Sequence, residues 1–410
     1  MDVELQIHNS ANPNARFLTW APAACRIRMT NSAGVNGPVA AVRITGASAA
    51  SAGAVIFSQN LQGPFTNSVT LQVPTNGNFV PFFVAGRFGR PSVNNGDVRI
   101  EARRGNTLVG SVPVMVRIRK NAQRLTPGER DRFVAALAQL NNRGMGRFTV
   151  FRDMHTDASD REAHGGPGFL PWHRAYLLDF ERELQAIDPS VALHYWRFDQ
   201  PAPNIFTREF LGASDNFGTV QFSPTNPLLF WRTDGVQGIN RSPFFPTNQR
   251  PPNPMSENST LDLGIPGNVF RLFRRMQGNP HGFAHTSFGG SISDIDTAAK
   301  DPLFFLLHCN VDRLWAKWQR RFGRFDPAQA ASYDTRPQNE IGHRLEDTMW
   351  PWNGIMGNPR PPTAPGGPLF DSNIVAAPGQ QPRVRDCLDY QGAINGNSRM
   401  GFDYGDVQFF

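Results

Sequence analysis

Six of the nine histidines in this 410-residue chain fall in patterns that could hold metal. His281 and His285 stand four apart, a spacing that on a helix puts both rings on one face, close enough to share a cation. Asn279 and Pro280 read as the N-cap and first residue of that helix. His308 lies in a second helix, announced by Asp301-Pro302, where Phe304, His308, Asp312 and Trp315 recur as one buried stripe. Asp312, one turn past His308, can orient a ring or a neighbouring ligand. Earlier in the chain His155 shares a helical face with Phe148 and Phe151. His173 shares one with Leu177 and Phe180, in a helix expected to start near Pro171. His164 is cut off from that helix by Gly165-Gly166-Pro167-Gly168 and must arrive from a loop.

A lone inward histidine is usually a hydrogen-bonded core residue. Six in one region would need many buried partners unless they bind metal. Few cysteines and few inward carboxylates lie nearby. An all-nitrogen ligand set suits copper and, less exclusively, zinc, whereas calcium and magnesium require oxygen. Six ligands divide into two three-coordinate ions facing each other, with room for a bridging molecule. A dizinc hydrolase should add bridging carboxylates, and none is evident.

The elements that position these residues divide the chain. Residues 1–122 alternate apolar with polar in seven stretches, from Cys25 to Lys120, cut by Gly, Asn and Pro. Seven to nine short strands at that spacing predict an all-β sandwich, immunoglobulin-like in pattern, with a structural or docking role. At Thr126-Pro127 the period changes to helical, and a mainly α domain is expected over 126–358. Residues 200–265 read as long loops, the material of a site rim. Residues 359–410 form a Pro/Gly-rich linker and an aromatic extension ending in Tyr404, Phe409 and Phe410, which packs or plugs the site.

The 41 Lys and Arg against 34 Asp and Glu give a net charge of +7, spread without runs. That favours a solvated basic surface over nucleic-acid binding. Three distant cysteines (Cys25, Cys309, Cys387) make no framework and point to a reducing compartment. With no membrane-length apolar run and no visible signal peptide, the expectation is a cytoplasmic protein, or one exported with a partner. Oligomeric state has no signature here.

GPGFLPWHRAYLLDFER, HGFAH and DPLFFLLHCNVDRLW together resemble the tyrosinase, catechol oxidase and haemocyanin family of type 3 copper proteins, over about residues 126–358. The resemblance implies a four-helix bundle and two copper ions, each held by three histidine Nε2 atoms, with O2 as co-substrate. Carried over, His155, His164 and His173 hold one copper, and His281, His285 and His308 the other. Phe304 packs the rings, and Asp312 supports them. The implied activity is oxidation of small phenols, o-diphenols foremost, to o-quinones with reduction of O2 to water. Candidate substrates extend to o-aminophenols and monophenols. The alternative is a haemocyanin-like dioxygen carrier, and a copper chaperone is a conceivable partner.

Departures from the family pattern point to a bacterial-type enzyme. Fungal and plant members carry a Cys two residues before the second ligand, and Glu162 stands there. Monophenol hydroxylation is associated with an Asn after the first ligand of the second copper and with a water-holding Glu. Gly282 occupies the first position. Gln277 occupies the plant position of the second, and Leu272, Phe273 and Arg274 the bacterial neighbourhood. A neutral amide polarises water less than a carboxylate, so diphenols are expected to be preferred. The gate position falls on Ile295. His194 and His343 are expected to be structural or exposed, and Cys309 a buried thiol.

Overall fold

The computed structural model describes residues 1–215, 217–334 and 340–409, so the terminal Phe410 of the aromatic tail lies outside the described residues. The chain divides into two compact units. The first contains Met1–Ile118, Ser372–Val375 and the chain from Gly401 onward; the second contains Arg119–Asp371 and Ala376–Met400. The stretch read as linker and extension is thus divided between the two.

The first unit is all-β. Its strands are β1 (Asp2–Ile7), β2 (Phe17–Leu18), β3 (Ala23–Asn31), β4 (Val39–Ser48), β5 (Val55–Ser58), β6 (Ser68–Pro74), β7 (Val80–Gly86), β8 (Val98–Arg104) and β9 (Thr107–Val116). They form a four-stranded sheet in the order β1-β3-β7-β5 and a five-stranded sheet in the order β2-β9-β8-β4-β6. Pairing is antiparallel except for β2 with β9. Alternation decides which residues face inward. Cys25 and Ile27 of β3, Val42 and Ile44 of β4, and Ile100 of β8 join one buried core drawn from both sheets. All seven expected stretches form strands, and β1 and β2 are additional. The tail belongs to this unit: Trp20 Nε1 donates to Tyr404 O at 2.9 Å, and the Ala21 amide to Asp403 Oδ2 at 3.1 Å.

The second unit is helical around its histidines. Its longer helices are α1 (Pro127–Asn141), α2 (Phe148–Met154), α3 (Phe169–Ile187) and α4 (Leu303–Phe322). The start of α1 follows from its sequence: Thr126 and Glu129 form a reciprocal capping box, with Pro127 in the first turn. Helix α4 stops at Gly323, whose φ of +65° a side chain would disfavour. Helices α3 and α4 are buried along most of their length and face each other, the Phe180 and Phe305 rings stacking at 3.7 Å. Buried charge ties the same pair together. Asp312 Oδ1 accepts from Arg174 Nε at 2.6 Å and Oδ2 lies 3.4 Å from Arg119 Nη1, while Glu181 pairs with Arg119 at 2.7 Å. Removing one partner of such a buried network strands the others' charge, which makes it a demanding but specific fastening.

Helix α3 begins at Phe169, two residues from the expected start near Pro171. Two local expectations are corrected. His155 is not on the helical face of α2; it is the residue just past that helix, with φ −116° and ψ 86°. His281 and His285 are not on a regular helix capped by Asn279. A wide turn over Gly278–Gly282 runs into a single turn, Phe283–His285. Between residues 200 and 265 the described chain is mostly loop, broken by strands of two or three residues, short 3-10 turns and the short helix Glu257–Leu261. No helix among the described residues is long and apolar enough to cross a membrane.

Candidate metal centre

The six candidate histidines lie in two groups of three, His155 with His164 and His173, and His281 with His285 and His308. Within each group the candidate ligand atoms are all within 4.8 Å of one another. Each element contributes by its end or its inner face. His155 follows the last turn of α2, His164 ends the one-turn helix Asp160–Ala163, and His173 projects from the first half of α3. The wide turn and its continuation supply His281 and His285, and α4 supplies His308. The two groups meet where α3 faces α4: the His173 and His308 rings stack at 4.3 Å with a 10° interplanar angle.

Backbone carbonyls set the ring orientations. Nδ1 donates to Ile295 O in His155 (3.2 Å), to Phe169 O in His173 (2.9 Å), to Gln277 O in His281 (2.7 Å) and to Ile292 O in His285 (2.7 Å). A proton held at Nδ1 leaves the lone pair on Nε2, the form that binds a metal. His164 differs: its Nδ1 lies 3.1 Å from Asp160 Oδ1, outside hydrogen-bond geometry.

The free nitrogens fit a metal better than they fit one another. Nε2 of His155 and of His173 is buried without a partner. His308 Nε2 lies 3.3 Å from His281 Nε2 and 3.0 Å from His285 Nε2. A cation about 2.1 Å from two imidazole nitrogens at tetrahedral angles holds them about 3.4 Å apart. An unpaired buried acceptor costs roughly 1–3 kcal/mol, so a bound cation removes several such penalties together. Burial, with repulsion between neighbouring rings, drives the basicity of His155, His173, His281 and His308 well below the ordinary histidine range. Burial lowers His285 to about 4. These five rings are therefore neutral near pH 7, the form in which an imidazole can bind a metal. With no sulfur and no carboxylate in either group, the donor set is that of copper or zinc.

Aromatic rings pack the site. Phe304 stands 4.6 Å from the His155 ring and 4.2 Å from that of His308, touching one histidine of each group. Phe169, not singled out from the sequence, lies 4.7 Å from His173 and 4.9 Å from His281. The carbonyl partners were also missed, because a backbone group leaves no mark in residue type. Asp312 contacts the guanidiniums of Arg119 and Arg174. Cys309 is a buried thiol donating to Leu193 O. His194 and His343 are both buried.

A cavity of about 630 Å³ opens onto His155, His164, His281 and His285. Gln277, Gly282 and Ile295 line it, and Ile295 is 47% exposed. Arg274 and Arg275 bring positive charge to the wall, and Asp160 and Asp294 negative charge. Gly282 has room for a side chain, since an added Cβ would meet only Gln277 O, at 3.5 Å.

Residues 145–321 match the family model described as the common central domain of tyrosinase. The tyrosinase of Streptomyces glaucescens is 34% identical over 262 residues, covering 58% of this chain and 92% of that protein. Grixazone synthase of Streptomyces griseus subsp. griseus is 31% identical over 298 residues, covering 58% of this chain and 94% of that protein. Among solved structures, a tyrosinase from Burkholderia thailandensis aligns with a TM-score of 0.41 at 18% identity, over 71% of this chain and 74% of its own.

Proposed function

The chain belongs to the tyrosinase family, in its bacterial form, and from that premise we propose that its two histidine groups hold the two copper ions of a phenol oxidase. It is a copper-dependent oxidoreductase acting on small phenols. His155, His164 and His173 are assigned to one ion, and His281, His285 and His308 to the other. The observation that carries this assignment is the convergence of six imidazoles into two groups of three, four with Nδ1 fixed by carbonyls and four facing one open cavity.

We read o-diphenols as the preferred substrates, with o-aminophenols next. The overall balance is two diphenols and one O2 giving two o-quinones and two waters. Bound copper supplies paired one-electron chemistry toward O2. The chain's own part is to keep the ligand nitrogens deprotonated and aimed, to keep Phe304 against the rings, and to admit a flat phenol past Ile295. Gln277 presents a neutral amide rather than a carboxylate to draw a proton from a monophenol, and Gly282 presents no side chain beside His281, which together support the diphenol preference.

Catalysis is assigned to residues 126–358, whose helices we read as a four-helix bundle around the coppers. The all-β unit, read as immunoglobulin-like, is given a docking or structural role. The buried free thiols of Cys25, Cys309 and Cys387 support a reducing, cytoplasmic setting. The test is oxygen uptake by the copper-loaded chain with catechol, 2-aminophenol and tyramine. Uptake should be fastest with catechol, and no uptake with any of the three, alongside reversible O2 binding, would replace the oxidase with a carrier.

A further inference from the structure

Of the six rings, His164 is the one hung from a loop, and we infer that the buried Glu162–Arg360 ion pair is the positioning element that holds it in place. This rests on His164 being a copper ligand. Its neighbours are fixed by other means: four rings are held by carbonyls, and His308 sits inside α4. His164 instead follows a single helical turn, in extended backbone (φ −136°, ψ 177°), and Gly165 comes next with φ +70°. Among the described residues the carboxylate beside it is Asp160, 3.1 Å from Nδ1 and outside hydrogen-bond geometry. Apart from that contact and the packing of neighbouring rings, the place of this ring depends on the backbone that carries it.

That backbone is gripped on both sides by one segment, residues 342–360. Two positions before His164, Glu162 is 4% exposed. Its Oε1 accepts from Arg360 Nε at 2.6 Å, and its Oε2 from the Trp350 amide at 3.0 Å. Arg360 Nη2 donates onward to Thr348 O at 2.8 Å, so both charges are satisfied within the segment. Four positions after His164, the Gly168 amide donates to His343 Nδ1 at 3.0 Å. The fit leaves no slack: a Cβ on Gly166 would lie 2.5 Å from the His343 ring, and one on Gly342 would lie 2.5 Å from Glu162 Oε2. Partners that orient a ligand from outside the coordination sphere typically change metal affinity about 10- to 100-fold when removed.

The test separates local positioning from general damage by working in two half-site chains. His285→Ala leaves only the first histidine group intact, and His173→Ala only the second. Into each goes Glu162→Gln with Arg360→Gln, which buries no unpaired charge, and separately Glu162→Asp, which keeps the charge on a shorter arm. Copper(I) affinity is read by competition with bicinchoninate. The expected result is a loss of about 10- to 100-fold in the His285→Ala chain and no change in the His173→Ala chain. Equal weakening in both, or in neither, overturns the proposal. Because affinity is read without turnover, a chain that shows this split but fails to oxidise catechol would contradict the oxidase and leave the positioning role standing.

Discussion

His155 Nδ1 meets the backbone carbonyl of Ile295 at 3.2 Å, so one residue both orients a ring of the first histidine group and lines the cavity beside it. The two roles use different atoms. Ile295→Ala trims the side chain and keeps the carbonyl. Copper content should stay at two per chain, while KM for a bulky catechol such as 4-tert-butylcatechol falls by up to about tenfold. Loss of copper in this variant would show that the side chain, rather than the carbonyl, holds His155.

Phe304 is fully buried between His155 and His308. Phe304→Ala should lower stability by about 3–5 kcal/mol, seen in denaturant unfolding. It should also weaken copper at both groups, because the ring touches a histidine of each. A variant that unfolds earlier yet binds both coppers normally would reduce Phe304 to a core residue.

Gly282 follows His281 at φ −57°, a conformation open to any side chain, and an added Cβ there meets no clash. Gly282→Asn should therefore fold normally and raise monophenol turnover relative to diphenol turnover. The tyramine-to-catechol rate ratio measures this, and an unchanged ratio would remove the position from substrate selection.

His194 accepts from the Lys120 amide and is pushed down to about 3, first by burial and then by Lys120, Arg132 and Arg119. Its folded value lies below the unfolded value of about 6.5, so the unfolded chain binds the extra proton between them. The stability from keeping this ring neutral is complete above about pH 6.5 and is lost as pH falls toward 3. By pH 4 the loss is on the order of 3 kcal/mol. His194→Gln keeps an acceptor that does not titrate, so its unfolding free energy should fall less steeply between pH 7 and 4 than that of the wild type. Identical slopes would mean that His194 does not contribute.

What the residues announced and what they hid follow from the range of the interactions. Thr126, Pro127 and Glu129 specify the start of α1 through contacts within four positions, and the alternation of β3 and β4 needs only neighbours across a sheet. The identity of the six histidines was equally plain, because residue type and spacing carry it. Their local geometry was not. His155 leaves the helical path because its ring turns to a carbonyl 140 positions away, a tertiary contact that overrides the periodicity of Phe148 and Phe151. The turn holding His281 and His285 is widened, so an i, i+4 spacing survives without the regular helix that would usually explain it. Asp312 shows the same limit: its place one turn past His308 was visible, but the guanidiniums of Arg119 and Arg174 that meet it come from distant segments.

Copper bound per folded chain, measured by atomic absorption after removal of loosely held metal, addresses the paired-site reading most directly. Wild type should retain two coppers, and His173→Ala and His285→Ala one each. Fewer than two in well-folded wild type, or variants that both keep two, would mean that these imidazoles do not form the pair of sites described.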